Sequence, residues 1–373
     1  MVALLAALVE VATENPPGRA YLACVDTIER TLSELGFEHE RVEIVSPPDA
    51  PRAAVAAWVG DPGPTLYFHG HYDVVPAAQP SQFMPRVEGD AMFGRGTSDM
   101  KSGLVSMLFA AKAIREAGVH LNGRIGLLFV PDEETGGQYG SAALAAAGRL
   151  AGDAIGMLLP EPTSGVVWNA NRGAVTIEAT VRGRAAHVGL AHLGVNAFER
   201  AVAIVEDLLA LKGQLPAGAV LLVGGRVEAG TNFNVVPSEC CFTVDRRTTA
   251  DEDFAAERRR LLAVFDRARA SGIDVAVEVF QEGSASRTPD DVPLARALAS
   301  SVMEVTGAAP AFEECPGLLE TRFYAERGIP ALAYGPGILA VSHGPQEFVN
   351  ISRMLEVAKI YALTALKLMA KAT

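Results

Sequence analysis

An α/β fold, with a mostly parallel sheet, helices on both faces and an inserted α+β domain, is what this sequence predicts. Three observations carry the expectation. Apolar runs of four to six residues alternate with longer helical patterns, as buried parallel strands and their crossover helices do. A central stretch switches to strict apolar–polar alternation in the order β-α-β-β-α-β, the ferredoxin-like split unit. Finally, 49% apolar and 20% charged residues in a chain of 373 suffice for a sizeable core.

Taken in order, the start, MVALLAALVEVATENPPG, lacks a basic n-region and is interrupted by Glu10. It reads as an amphipathic helix rather than a secretory leader. Residues 65–68 (TLYF), 125–130 (IGLLFV), 155–159 (IGMLL) and 331–334 (ALAY) read as buried strands. A helix from about Lys101 to Ala117, rich in Ala, Leu, Met and Ser, fills the first interval. Within 173–283, AVTIEATVRG alternates as a half-exposed strand should. The helix NAFERAVAIVEDLLALK, strands AVLLVGGRVEAG and SECCFTVDRR, helix DEDFAAERRRLLAVFDRARA and strand IDVAVEVFQ follow. The expected division is therefore one discontinuous domain, 1–172 with 284–373, and one insertion, 173–283.

Composition excludes several classes. Net charge is −12, with no basic stripe, so no nucleic-acid partner is expected. No run approaches 18 apolar residues, so no membrane span is expected and a cytoplasmic location is the default. Four cysteines make no disulfide framework, and adjacent Cys240 and Cys241 on a strand would face opposite ways. GxSxG, P-loop and dinucleotide fingerprints are all missing.

The polar clusters follow the strands. TLYF leads into His71 and Asp73, IGLLFV into Glu133 and Glu134, IGMLL into Glu161, and ALAY through Gly335-Pro336-Gly337 to His343. Ligands bind at the carboxyl ends of strands in open α/β sheets, so these groups could converge. Asp99, in GRGTSDMKSG, joins them from the loop before the helix. His and carboxylates brought together need a dication, since otherwise the carboxylates repel one another. Each residue also has a plainer reading. His71 could be a hydrogen-bonded strand-end histidine, Asp99 a helix cap, and Glu133-Glu134 a solvated turn. In extended chain His71 and Asp73 share a face, so the carboxylate could orient the imidazole.

GHYDVVP, GRGTSDMKSG, PDEETGG, EPT after a buried strand, and GPG followed by SHG together resemble one family. It is the zinc metallohydrolase family of acetylornithine deacetylase, succinyl-diaminopimelate desuccinylase, aminoacylase and related carboxypeptidases and dipeptidases. The resemblance runs from about residue 4 to 370. It implies two zinc ions per chain, with cobalt or manganese as substitutes. His71 and Glu161 would ligate the first ion, Glu134 and His343 the second, and Asp99 would bridge both. Asp73 would orient His71, and Glu133 would be the general acid/base. The insertion resembles a lid that also serves homodimerisation. In it His187 would stabilise the tetrahedral intermediate, while Asn234 and Arg247 would contact substrate, together with Arg172 at the start of the lid. The implied activity is hydrolysis of a small N-acyl amino acid, or alternatively of a short peptide. His39, His69, His120 and His192 are expected to be structural or solvated. Asn171-Arg172-Gly173-Ala174 stands where desuccinylases carry Arg-Arg-Gly-Ser, Glu320 where many relatives have Asp, and Gln346-Glu347 in place of Asn-Glu.

Overall fold

The computed structural model describes residues 1–47, 50–150 and 154–371. The chain forms two compact units. The first comprises Met1–Ala170, Arg287–Cys315 and Leu319–Thr373, and the second Asn171–Ser286 with Pro316–Leu318.

The first unit is built on a long sheet. Its order runs Glu38–Ile44, Arg52–Gly60, Arg124–Val130, Thr65–His71, Ala154–Leu159, Ala331–Ala333, Val167–Asn171. The centre is parallel: Thr65–His71 pairs in parallel with both Arg124–Val130 and Ala154–Leu159, and Ala331–Ala333 in parallel with Ala154–Leu159. The flanks are antiparallel. The four expected strands are these parallel ones. Strands Glu38–Ile44, Arg52–Gly60 and Val167–Asn171 extend the sheet beyond what periodicity marks.

Both faces are buried, and the period-two pattern sorts the side chains between them. Leu66 and Phe68 face one core with Val55, Ile125, Leu127 and Phe129. Tyr67 faces the other with Ala54, Ala56, Leu128 and Val130. Helices Val2–Glu10, Tyr21–Glu34, Lys101–Glu116, Pro293–Thr306 and Ile351–Met369 cover the first face. The short helices Ser141–Ala146 and Thr321–Ala325 contribute to the second. Lys101–Glu116 runs close to the sheet because residue 103 is glycine: a Cβ there would stand 2.3 Å from the Pro160 carbonyl oxygen.

The second unit has the expected β-α-β-β-α-β order. Its four-stranded antiparallel sheet is ordered Val220–Ala229, Glu239–Thr248, Gly173–Arg182, Asp274–Gly283. Helices Ala197–Lys212 and Phe254–Ala270 pack on one face through Ile204, Leu208, Leu261 and Phe265. Cys240 is buried on that side while Cys241 is half-buried on the other, and both are free thiols. No helix among the described residues is long and apolar enough to cross a membrane.

Candidate metal centre

Because the central strands are parallel, their carboxyl ends lie along one edge of the sheet, and the loops leaving that edge bring the polar clusters together. His71 is the last residue of Thr65–His71, and Glu161 follows Ala154–Leu159 by two residues. Glu133 and Glu134 occupy a 3-10 turn, Glu133–Thr135, after Arg124–Val130. Asp99 stands just ahead of the helix Lys101–Glu116, whose N-cap is Met100 with no side-chain capping bond. The capping alternative for Asp99 therefore falls.

Two ligand triples share that aspartate. In the first, His71 Nε2 lies 3.4 Å from Asp99 Oδ1 and 3.7 Å from Glu161 Oε1. In the second, His343 Nε2 lies 3.3 Å from Asp99 Oδ2 and 3.3 Å from Glu134 Oε2. Each triple offers donor atoms all within 4.8 Å of one another. Tetrahedral zinc with N and O ligands at about 2.0–2.1 Å needs neighbouring donors roughly 3.3 Å apart, so these separations fit. His71 Nε2 and Glu161 Oε1 are buried and have no hydrogen-bond partner. Two buried lone-pair atoms left facing each other are what a cation between them would satisfy. Glu133 Oε2 lies 3.9 Å from His71 Nε2, placing a carboxylate against the first triple without membership in either.

The electrostatics show what crowding these groups costs. Burial, and then the charges of neighbouring carboxylates, push Glu133 and Glu161 well above the ordinary carboxyl range. Glu134 is raised too, chiefly by burial. Burial opposes ionisation of Asp99 as well, but the His343 and His71 imidazoles beside it prevail and hold it below its usual value. Burial disfavours the His71 cation, yet the Asp73 and Asp99 carboxylates beside the ring win and raise it well above its usual value. Hydrogen bonds to Asp99 and Glu134 push His343 up to about 11.

Asp73 orients both halves. His71 Nδ1 lies 3.0 Å from the Asp73 carbonyl oxygen and 3.4 Å from its Oδ1. The two Asp73 carboxylate oxygens accept from the backbone N–H groups of Glu133 (3.2 Å) and Glu134 (3.1 Å). Glu133-Glu134 is therefore a clamped, part-buried turn and not a solvated one.

A family model described as Peptidase family M20/M25/M40 matches residues 67–367. The chain belongs to that family. Succinyl-diaminopimelate desuccinylase of Thioalkalivibrio sulfidiphilus is 29% identical over 357 residues, covering 91% of each chain. A probable succinyl-diaminopimelate desuccinylase of Staphylococcus epidermidis is 33% identical over 210 residues, 55% of this chain and 50% of that one. Among solved structures, the M20 metallo-carboxypeptidase of Sulfolobus solfataricus superposes with a TM-score of 0.81 at 18% identity, covering 98% of both chains. A dipeptidase of Saccharomyces cerevisiae superposes at 0.80 and 15% identity, covering 98% of this chain and 95% of that one. Family and relatives make this M20 chain a metal-dependent amidohydrolase.

The remaining expected residues of this M20 chain lie in the second unit. His187 is exposed, and its Nδ1 accepts from the Gly189 N–H at 3.1 Å. It sits beside the Asn234 segment, since His187 bridges Val235 and the Val188 N–H donates to the Asn234 carbonyl at 2.9 Å. Arg247 already holds Asp245, through Nε at 2.7 Å and NH2 at 2.9 Å, so a substrate carboxylate would share that guanidinium. Arg172 is half-buried, and its N–H donates to the Gly317 carbonyl at 3.1 Å. His69 is fully buried between Ser141 (2.8 Å), Glu320 (2.9 Å) and Tyr324 (2.9 Å), a structural role.

Sequence reasoning missed the supports. Glu347 Oε1 accepts from the backbone N–H groups of Gly96 (3.0 Å), Ser98 (2.9 Å) and Asp99 (3.0 Å). Its Oε2 is paired with Arg95, whose NH2 donates to the His343 carbonyl at 3.0 Å. One ion pair thus ties the Asp99 loop to the His343 loop. The available signal was a Glu just ahead of the strand Phe348–Asn350, which pairs with Ala91–Phe93 immediately before that loop.

Proposed function

We propose that this chain hydrolyses the amide bond of a small N-acyl amino acid, with two zinc ions held by His71, Asp99 and Glu161 and by Asp99, Glu134 and His343. The observation that carries the reading is the pair of triples sharing Asp99, with Glu133 beside them and in neither. Zinc in these positions supplies Lewis acidity, lowering the pKa of a water towards about 7 and polarising the scissile carbonyl. Glu133 takes one proton from the attacking water as the C–O bond forms, and passes it to the amine nitrogen as the C–N bond breaks. Ligation through Nε2 would require the neutral His71 imidazole, and the Asp73 carbonyl at its other nitrogen keeps the ring turned for it. His187, Asn234, Arg172 and Arg247 are the substrate contacts of this reading.

The desuccinylase relatives at about 29% identity favour a deacylase over a peptidase. The acyl group need not be succinyl. Asn171, where desuccinylases carry an arginine, is fully buried and donates to the Arg172 carbonyl at 2.9 Å, so it offers no cation to a second carboxylate. Association of two copies through the inserted unit belongs to the same reading, supported by the exposed Val220, Leu222 and Val227 on its edge strand. A cytoplasmic location is likewise part of it.

The test joins zinc content with amine release from N-acetyl, N-succinyl and N-formyl amino acids and dipeptides, on chelated and zinc-restored protein. Two zincs per chain with chelator-sensitive release from an acyl amino acid supports the proposal. Release from dipeptides alone would make it an exopeptidase on the same centre, and neither metal nor release would refute the centre itself.

A further inference from the structure

The turn that carries Glu133 and Glu134 is anchored by a residue distant in sequence. Arg52, at the start of Arg52–Gly60, is only 6% exposed. Its Nε and NH2 each lie 3.2 Å from Asp132 Oδ1, and NH1 donates to the Ala50 carbonyl at 2.8 Å. The guanidinium carbon lies 4.8 Å from the Tyr139 ring centroid and 5.5 Å from that of Tyr21. Gly18 closes over it, since a Cβ there would sit 3.1 Å from Arg52 NH2. A buried guanidinium this fully engaged has one defined position.

Asp132 is the hinge of the turn. Its φ of 75° is left-handed, a region aspartate enters only when its carboxylate is held locally. Asp132 Oδ2 accepts from the Tyr139 N–H at 2.9 Å, and Oδ1 from the Thr135 hydroxyl at 3.2 Å. Asn15 Nδ2 lies 2.9 Å from Thr135 Oγ1 and 2.9 Å from Asp73 Oδ2. Asp73 in turn grips the N–H groups of Glu133 and Glu134. Polar contacts therefore run without a gap from Arg52 to the peptide units of both glutamates. Tyr139 and Thr135 belong to the loop they help hold, whereas Arg52 comes from the sheet.

We propose that Arg52 is a positioning residue for the hydrolysis: by fixing Asp132 in its left-handed conformation it sets where the Glu133 and Glu134 carboxylates stand. The inference rests on the reading of Glu133 as general base and Glu134 as ligand. It assigns to a strand residue outside every motif a share in the second metal site and in proton transfer.

Removing one member of a buried ion pair can simply unfold a protein, so the informative variant removes both charges. Arg52→Met, Asp132→Asn, the double variant and Arg52→Lys are compared with wild type. Melting temperature, stepwise zinc affinity against a competing chromophoric chelator, and kcat and KM are measured. Asparagine tolerates the left-handed region and keeps an acceptor for Tyr139, so the double variant should melt close to wild type. Its second zinc should nevertheless bind about 10–100-fold more weakly, the range for outer partners of metal ligands, while the first binds as in wild type. Under saturating zinc its kcat should fall about 10-fold or more with KM within about threefold, because the displaced Glu133 acts on the chemical step. Arg52→Lys should recover part of both effects. A double variant that melts, binds both zincs and turns over as wild type does would overturn the proposal. So would a loss of activity that merely tracks the folded fraction. If wild type itself binds no zinc, the reading of the centre fails and this inference falls with it; if wild type binds two zincs and the variants match it, the centre stands and Arg52 alone is misassigned.

Discussion

Replacing Glu347 by glutamine tests whether the Asp99 loop is held by one buried charge. Glu347 is 2% exposed, accepts three backbone N–H groups through Oε1 and pairs with Arg95 through Oε2. Glutamine keeps an acceptor for the three N–H groups but presents an NH2 to the Arg95 guanidinium, two donors facing each other. Breaking a buried pair in this way typically costs about 3–5 kcal/mol. The three bonds also lose their charge assistance, since bonds to an ionised acceptor are roughly twice as strong as neutral ones. Against this, burial pushes the Glu347 carboxyl above its ordinary value, so the ionised form is held at some cost that the neutral amide escapes. A net loss of about 3 kcal/mol follows, taken at the lower end of the buried-pair range. At roughly 2–4 °C per kcal/mol, the transition of the first unit should fall by about 6–12 °C. Calorimetry on zinc-loaded protein reads the shift, and chelator competition should show both zincs weakened, because Asp99 belongs to both triples. A fall of less than about 2 °C with both affinities intact would refute the idea that Glu347 holds this loop.

Four further outcomes are expected. Glu133→Gln should lower kcat by about 10²–10⁴-fold with two zincs still bound, and unchanged turnover on zinc-loaded protein would remove Glu133 from proton transfer. His343→Ala should retain one zinc and lose the other, read by metal analysis after gel filtration; loss of both would mean that the triples are not separable. Zinc uptake should release protons, because His71 is raised well above its usual value and His343 up to about 11, whereas ligation requires neutral imidazole. Affinity should accordingly rise with pH, and calorimetry in buffers of differing ionisation enthalpy that shows no proton release would contradict this. Gly103→Ala should destabilise the first unit by about 1–3 kcal/mol by overpacking, as its Cβ would meet the Pro160 carbonyl at 2.3 Å, and an unchanged melting temperature would show that this contact yields.

What could be read in the sequence is what local pattern encodes. TLYF, IGLLFV, IGMLL and ALAY are short, apolar and closed by polar residues, and they are the parallel strands of the sheet. The rule that ligands gather at strand carboxyl ends then groups His71, Asp99, Glu133, Glu134, Glu161 and His343 from the sequence alone. The antiparallel flank was not legible for physical reasons. EHERVEI buries only Ile44, so it carries no apolar run to mark it. RAAVAAWVG is alanine-rich and buried on both faces, which removes the period of two that identifies a strand. Arg52, Asn15 and Glu347 escaped for another reason. Their partners lie 80, 58 and about 250 positions away, and nothing local distinguishes a buried Arg or Glu from a solvated one.

Carboxylates outside the two triples brace the loops that bring the site's acidic side chains together. Asp73, Asp132 and Glu347 stand outside both triples, and each accepts from backbone N–H groups of the loops at the site, Asp73 through both oxygens and Asp132 and Glu347 through one, the other being paired with side chains. A carboxylate accepts at two oxygens and donates nothing, so one side chain can grip several N–H groups at once. Arg95 and Arg52 balance two of these anions, Glu347 and Asp132, inside the core. The repulsion among Asp99, Glu133, Glu134 and Glu161 is therefore opposed by backbone that has few other places to go. His343 is the exception, with a side chain 51% exposed on a left-handed residue at φ 63°. Four of the five candidate ligand side chains are thus largely buried, and the fifth stands at the rim of the second triple.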